Sequence, residues 1–200
     1  PATLQNWVAG EYTDIFDAVE VNFDERRELA TTIAGAMGRR ADQLIIDALS
    51  AGSTISHGSA GLTLAKLTQA SETLNDNGVP TGDRILLTSA QGITDLLSDT
   101  TITSADYNTV RALMSGEINT FMGFQIMMME TRAEGGLAKS GSTRDCFAFH
   151  KSSIGCAIGL DISTEVNYIP EKTSWLSLGK YKAGAVTIDT AGIVKVEITE

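Results

Sequence analysis

One apolar stripe with a 3.6-residue period constrains this chain more than any other feature of its sequence. Its members, all within residues 24–49, are Ala30, Ile33, Ala34, Met37, Ala41, Leu44, Ile45, Ala48 and Leu49. This spacing is typical of an amphipathic helix that buries one face. We therefore predict one long helix over residues 24–49. The residues expected on its buried face are Ile33, Met37, Leu44 and Ala48.

Both ends of this stripe carry helix signals. Asn22 precedes Glu25 by three residues, which is the spacing of a capping box. Gly52 follows the last apolar residue, where a left-handed glycine commonly ends a helix. Gly35 and Gly38 lie inside the stripe, where each costs about 1 kcal/mol relative to Ala. They predict a bend or a close neighbour there.

The remaining chain mixes short helices with short strands. A second helix carries Leu64, Leu67, Ala70 and Leu74 and stops at residues 77–80, and further helices are predicted at residues 89–98, 104–115 and 152–159. Extended segments or strands are predicted at residues 5–22, 84–88, 121–129, 146–150, 165–168, 174–181, 185–189 and 193–199. Residues 134–145 form a Gly- and Ser-rich loop. At least two of Met127, Met128 and Met129 are expected to pack in the core.

Composition narrows the classes of function. The chain has 200 residues, 42% of them hydrophobic, which suffices for one globular domain or two small lobes. Its net charge of −10 argues against a nucleic-acid reader, whose affinity comes from Lys and Arg. No apolar run reaches membrane-spanning length, and the first ten residues lack a signal-peptide pattern. Cys146 and Cys156 are expected to be reduced.

Candidate chemical motifs lack the partners that their chemistry requires. His57 and His150 have no Cys, Asp or Glu at zinc-ligand spacing. Residues 57–61 match a nucleophile elbow except that His replaces its first Gly, and no strand precedes them. Residues 177–180 fit S-x-x-K within a predicted strand, where Ser and Lys point to opposite faces. We predict no catalytic residue, no cofactor and no metal site.

Several segments, in order along the chain, carry a resemblance to a known family. They include Gly38-Arg39-Arg40-Ala41-Asp42, then residues 79–80, 84–89, 96–97, 106–107, 115–118, 122–126, 149–155 and 184–186. Together they resemble the major capsid proteins of tailed bacteriophages, and most closely those of short-tailed phages. The resemblance spans residues 5–200.

This resemblance implies an α+β chain with the HK97-like capsid fold. Residues 1–23 would be the returning arm of an extended loop. Residues 24–52 and 184–200 would form a peripheral domain with the long spine helix and β-strands. Residues 53–183 would form an inserted axial domain of mixed α/β structure.

The same resemblance implies a structural protein and no enzyme. Copies of the chain would assemble as pentamers and hexamers into an icosahedral shell that encloses the double-stranded DNA genome without sequence-specific binding. Scaffolding and portal proteins would be partners, a decoration protein would be a further one, and no membrane would be involved. The location would be the virion capsid, assembled in the bacterial host cytoplasm.

A contact between copies is predicted at the loop of residues 134–145. By resemblance this loop reaches toward the capsomer axis, and its charges have both signs, which suits contacts between unlike patches of identical subunits. The interface residues are Arg132, Glu134, Lys139, Arg144 and Asp145. The loop is expected to be mobile in a free subunit and ordered in a shell.

Two alternatives remain open from the sequence. An encapsulin-like bacterial compartment shell has the same fold, and particles that enclose protein cargo would identify it. An acidic αβ enzyme with an unrecognised site would instead need a pocket with converging titratable groups.

Overall fold

The computed structural model describes residues 2–20, 22, 24–56, 58–98 and 120–200, without the side chains of residues 17–19. The helices in these ranges are α1 (Ile15–Glu20), α2 (Glu25–Leu49), α3 (Leu64–Asp76) and α4 (Ala90–Ser98). The strands there are β1 (Gln5–Asp14), β2 (Ser53–Ile55), β3 (Arg84–Thr88), β4 (Thr120–Phe121), β5 (Phe124–Met128), β6 (Lys139–Ser140), β7 (Thr143–His150), β8 (Ile154–Ile169), β9 (Ser174–Thr187) and β10 (Ile193–Thr199).

The chain divides into two compact units. Unit 1 contains Pro1–Ile45 and Cys156–Val186, and unit 2 contains Ile46–Gly155 and Thr187–Glu200. The boundaries differ from those of the predicted domains. Strand β9, predicted within the axial domain, pairs with β1 in unit 1, whereas β10, predicted in the peripheral domain, pairs with β7 in unit 2. Which unit is peripheral stays a prediction.

Unit 1 is a three-stranded sheet with α2 packed on one face. The strand order is β1-β9-β8, and β1 runs antiparallel to β9 from Gln5↔Ala183 to Asp14↔Ser174. Met37 of α2 is buried with Tyr181 and Ala183 of β9. Packing against them are Trp7, Ala9, Ala41 and Leu44.

Helix α2 confirms the main prediction, because it is continuous from Glu25 to Leu49. Ile33 and Met37 are buried as expected, whereas Leu44 and Ala48 are only partly buried. Near the C-terminal end of the helix, the buried side chains are instead those of Ile46 and Leu49. The predicted stripe is therefore at least partly buried along its length. Toward the C-terminal end the most buried face turns around the helix, because Ile46 lies about 180° from Met37.

Gly52 does not have the left-handed conformation that was predicted for it, since it is not among the residues of positive φ. A Cβ atom at this position would lie 2.6 Å from the carbonyl oxygen of Ile193. The glycine is needed because β10 approaches the chain closely after α2, not because the backbone turns left-handed.

Unit 2 is built on a mixed sheet of order β2-β10-β7-β3-β5-β4, with β6 paired to β7. Its two parallel pairs are β10 with β2 and β3 with β5. Large side chains without measurable exposure include Leu67, Leu74, Leu86 and Phe124, which form the core of this unit. Both Cys146 and Cys156 are free thiols, as expected.

Helix α3 ends as its sequence predicts. Gly78 has φ +70°, and the N–H groups of Gly78 and Val79 donate to the carbonyl oxygens of Asn75 and Leu74 at 2.9 and 3.0 Å. This is the hydrogen-bond pattern of a glycine-terminated helix. Strand β3 and helix α4 also confirm the predictions for residues 84–88 and 89–98.

Several predicted elements are corrected. Residues 152–159 are not a helix, because β8 begins at Ile154 after a short 3₁₀ turn. Residues 174–181 and 185–189 are not separate strands, since β9 is continuous to Thr187. The extended segment from residue 5 ends at Asp14, where α1 follows. The predicted helix at residues 104–115 lies outside the described residues.

The methionine prediction is also corrected. Met127 and Met128 are 45% and 65% exposed, so at least two of the three methionines do not lie in the core. Among the described residues, the sheet order has just the two-residue β4 beyond β5, which carries Met127 and Met128. A strand this close to the sheet edge has few neighbours to cover its side chains.

Candidate assembly surfaces

The structure places four of the five predicted interface residues at the surface of the subunit. The Arg132 side chain is 51% exposed, and its Nε lies 2.5 Å from a carboxylate oxygen of Glu130. Glu134 and Lys139 are exposed, and Asp145 is half-buried. Their contacts with other copies stay a prediction.

Arg144, the fifth, is instead buried and occupied within its own subunit. Its residue exposure is 2%, and its Nε donates to Glu200 at 2.6 Å. A further N–H of its guanidinium donates to the carbonyl oxygen of Leu137, and the other carboxylate oxygen of Glu200 accepts from Ser89. Arg144 therefore joins β7 to the preceding loop and to the chain near Glu200.

The loop before β7 is fixed at its middle. Leu137 is 1% exposed, and its N–H donates to the carbonyl oxygen of Glu130 at 3.0 Å. Gly136 packs against the same backbone, since a Cβ there would lie 2.4 Å from that oxygen. Order at these residues comes from the subunit itself. The prediction that this loop is mobile in a free subunit therefore applies to the exposed loop residues on either side of Leu137.

Sequence reasoning missed an apolar surface on β8, which is an edge strand of unit 1. The residues that form it, called here the β8 stripe, are Ile158, Leu160, Ile162, Val166 and Tyr168, with exposures of 60%, 48%, 37%, 39% and 41%. They all occupy even-numbered positions, so they share one face of the strand, and Thr164 interrupts the apolar run between Ile162 and Val166. The even-numbered alternation was visible in the sequence, but the helix predicted at residues 152–159 covered Ile158, and residues 160–164 were assigned to no element.

The β8 stripe lies on the side of the sheet that α2 covers. The ring of Tyr168 is 5.2 Å from that of Trp175, and Arg26 of α2 lies 5.0 Å over the Trp175 ring. Residues at odd positions of β8 face the other way. Glu165, for example, accepts a 2.8 Å hydrogen bond from Lys180, which lies on the uncovered face.

A second apolar surface lies along β1, the opposite edge of the same sheet. Leu4, Val8 and Tyr12, called here the β1 stripe, are 40%, 65% and 46% exposed. Trp7 and Ala9, between them in sequence, pack toward α2, so the β1 stripe lies on the uncovered face. Unit 1 therefore exposes one apolar stripe at each edge, on opposite faces.

Charged side chains lie near both stripes. Lys172 lies 4.1 Å over the Tyr12 ring, and Lys182 is the register partner of Asn6 beside the β1 stripe. Burial raises the pKa of Tyr181, and electrostatic interactions with Cys156, Asp161 and Asp42 raise that pKa further. Burial also raises the pKa of Asp42.

Unit 2 holds one buried lysine that merits a chemical test, because a buried Lys is a candidate nucleophile. Burial lowers the pKa of Lys66. Its Nζ donates to the carbonyl oxygens of Ala60, Gly61 and Glu197 at 2.7, 2.8 and 3.0 Å. An ammonium with three acceptors has no lone pair to offer, so Lys66 joins α3 to two backbone segments.

No metal or membrane feature appears in the described part of the chain. Within those ranges no group of three His, Cys, Asp or Glu side chains is placed to hold a metal ion. His150 bonds only its neighbour Ser152, with 2.7 Å between Nδ1 and Oγ. His57 lies outside the described residues. None of the described helices is both long and apolar enough to cross a bilayer.

Solved structures of phage and encapsulin proteins share this architecture. A protein of Mycobacterium phage Che8 has TM-score 0.70 and 19% identity over 96% of this chain and 70% of its own. The acidic stable capsid of Helicobacter pylori bacteriophage KHP30 has TM-score 0.78 and 9% identity over 99% and 75%. The SrpI encapsulin of Synechococcus elongatus has TM-score 0.64 and 12% identity over 99% and 74%. The fold is the HK97-like capsid fold.

Among proteins of this fold, the sequence of the chain matches one family. The family described as phage capsid protein matches residues 1–200, and the chain belongs to it. No curated protein sequence matches the chain. The protein is a structural capsid protein of bacteriophage, a component of the virion, which confirms the resemblance that the sequence carried.

Proposed function

We propose that this chain forms the pentamers and hexamers of an icosahedral shell around the double-stranded DNA of a phage. The family match over the whole chain is the observation that carries this proposal. Scaffolding, portal and decoration proteins would then be its partners besides its own copies. Assembly would take place in the cytoplasm of the bacterial host.

The charge of the chain supports a shell that holds DNA without gripping it. Fifteen Lys and Arg against 25 Asp and Glu give a net charge of −10. A surface of this sign repels phosphates instead of neutralising them, so packaged DNA would remain free to move.

The two units support an assignment of the peripheral and axial domains. Unit 1, with α2 and the β1-β9-β8 sheet, would be the peripheral domain, and unit 2, with the larger mixed sheet, would be the axial domain. The boundaries of this proposal follow the units, so residues 156–186 are peripheral and β10 is axial.

Purified virions provide the test. We expect mass spectrometry to identify this chain as the most abundant virion protein, and cryo-electron microscopy at near-atomic resolution to place it in every pentamer and hexamer. Its absence from the shell, or its presence in a few copies only, would refute the proposal.

An encapsulin-like compartment is the second candidate, since the fold is shared with the SrpI encapsulin. Particles isolated from cells without phage would separate the two. Shells that enclose protein cargo indicate a compartment, and shells that enclose nuclease-protected phage DNA indicate a capsid.

A further inference from the structure

Two buried hydroxyl groups of unit 1 have no hydrogen-bond partner among the residues that the structure describes. Thr13 of β1 and Ser177 of β9 are each 1% exposed, and within those ranges neither Oγ1 of Thr13 nor Oγ of Ser177 reaches a donor or an acceptor. A buried hydroxyl without a partner is costly, because folding removes the hydrogen bonds that it made to bulk water. Native proteins satisfy most such groups. The two hydroxyls therefore indicate a bound polar ligand.

The two side chains are neighbours on the face of the sheet that α2 covers. The antiparallel register pairs Thr13 with Trp175. Ser177 is two positions beyond Trp175 on β9, so Thr13 and Ser177 are diagonal neighbours on one face. Tyr181, at another odd position of β9, is buried with Met37 of α2. The two hydroxyls therefore lie between the helix and the sheet.

The distance between the two hydroxyls suits one bridging water molecule. Diagonal Cβ atoms of an antiparallel pair lie about 7–8 Å apart, and each hydroxyl oxygen is one bond from its Cβ. The oxygens are too far apart to bond each other directly. A water that bonds both spans about 5.6 Å at the usual O–H···O distance. One molecule of water therefore fills the separation.

The first turn of α2 supplies a third oxygen. Oε2 of Glu25 is buried and has no hydrogen-bond partner in the described part of the chain. Arg26, the next residue, lies 5.0 Å over the ring of Trp175, which is the register partner of Thr13. The first turn of α2 therefore lies above the two hydroxyls.

Glu25 is on the flank of α2 that faces β1. Arg40 marks this flank, because it lies 3.8 Å over the ring of Trp7 in β1. Each helical residue advances about 100°, so Glu25 lies about 60° around the helix from Arg40. Thr13 belongs to the same strand as Trp7. The Glu25 carboxylate is thus on the side of the helix where the Thr13 hydroxyl lies.

The chemistry of these three oxygens favours water over a metal ion. The hydroxyls of Thr13 and Ser177 can donate or accept, whereas the Glu25 carboxylate accepts. One water can therefore bond all three, and buried waters typically make about three hydrogen bonds. A calcium ion would need about six to eight oxygen ligands. Three oxygens match the first number and fall short of the second.

We propose that unit 1 binds one ordered water molecule between Thr13, Ser177 and Glu25. The water joins β1, β9 and the first turn of α2 through groups that have no other partner among the described residues. The inference concerns the stability of the subunit and does not depend on the proposed shell function.

An isosteric substitution gives opposite results with and without the water. Thr13→Val in the full-length protein keeps the shape of the side chain and removes its hydroxyl. With the water bound, the change removes one of its hydrogen bonds, and the melting temperature of the unassembled subunit should fall by about 2–4 °C. Without a bound water, the change would remove an unsatisfied polar group, and the melting temperature would rise.

Thr164→Val is the matched control, because Thr164 is an exposed residue of β8 in the same sheet. Its melting temperature should stay within about 1 °C of the wild-type value. Ser177→Ala should lower the melting temperature as Thr13→Val does. The double variant should lose clearly less than the sum, because both hydroxyls bond the same molecule. A full sum, or single variants as stable as the control or more stable, would overturn the proposal.

Glu25→Met and Glu28→Met test the third partner, since both residues are in the first turn of α2. Each change removes a negative charge from the helix N-terminus, but Glu25→Met also removes an acceptor of the water. We expect the larger fall in melting temperature for Glu25→Met. In the Thr13→Val background the difference between the two should shrink at least twofold. An undiminished difference would exclude Glu25 from the site.

Solution conditions and a density map identify the ligand. The melting temperature of the wild type should be the same with and without EDTA, and the same in sodium and potassium salts. A loss in the wild type that Thr13→Val does not show would mean that a metal ion is bound, and the water would be wrong. A map that resolves ordered water should contain one peak within hydrogen-bond distance of Thr13 Oγ1, Ser177 Oγ and Glu25 Oε2. A map of that quality without the peak would refute the site.

Discussion

The interpretation of Arg144 changes once its long-range contacts are known. Its charge and loop position predicted a surface contact, yet its side chain is 3% exposed and that of its partner Glu200 is 8% exposed. The partner is 56 positions away along the chain. Local patterns carry no information about such a pairing, because the fold alone brings the two groups together.

A substitution at Arg144 therefore tests a role in stability. Arg144→Met leaves the Glu200 carboxylate buried without its cation, which should lower the free energy of unfolding by about 3 kcal/mol. Arg144→Met combined with Glu200→Gln should recover part of that loss. Urea unfolding of the unassembled subunit measures both.

Lys139 is the matched control, because it is exposed in the same hairpin. Lys139→Met should change the free energy of unfolding by no more than about 0.5 kcal/mol. Arg144→Met that is as stable as this control but defective in assembly would restore the original interface interpretation.

Glycines at two positions of unit 1 differ in what surrounds them. A Cβ at Gly179 of β9 would lie 2.4 Å from Cγ2 of Ile33, whereas a Cβ at Gly38 meets nothing within 4 Å. The first glycine permits α2 to approach the sheet, and the second does not serve packing inside the subunit. Substitution by Ala should therefore have opposite signs at the two positions.

Gly38→Ala should raise the free energy of unfolding by about 1 kcal/mol, because Ala restricts the unfolded chain and favours helix. Gly179→Ala should lower it by about 1–3 kcal/mol, because Ile33 must move in a packed layer. Chemical denaturation of both variants checks this pair. A loss of stability in Gly38→Ala would mean that the described packing around α2 is incorrect.

At the scale of elements, prediction succeeded where the signal was local. The stripe of α2 and the Gly78 stop of α3 depend on neighbours within a few residues, so both were predicted almost to the residue. The division between the units was not predicted from the sequence, because β9 pairs with β1 from nearly the opposite end of the chain. The β8 stripe was missed because Ile158 fell within a predicted helix and residues 160–164 were assigned to no element.

Both tryptophans of the chain lie in unit 1, and this permits the two units to be observed separately in solution. Trp7 and Trp175 each stack with an arginine of α2, at 3.8 and 5.0 Å. Tryptophan fluorescence therefore reports the contact of α2 with the β1-β9-β8 sheet, whereas far-ultraviolet circular dichroism reports both units.

We expect the fluorescence and circular dichroism transitions of the unassembled subunit to separate in denaturant, because the two units have separate sheets and separate cores. Gly179→Ala should move the fluorescence midpoint to lower denaturant and leave the part of the dichroism change that belongs to unit 2 in place. Arg144→Met, in unit 2, should instead move the unit 2 part of the dichroism change to lower denaturant and leave the fluorescence midpoint in place. If both probes gave one midpoint in the wild type and shifted together in both variants, the two units would unfold as a single cooperative body.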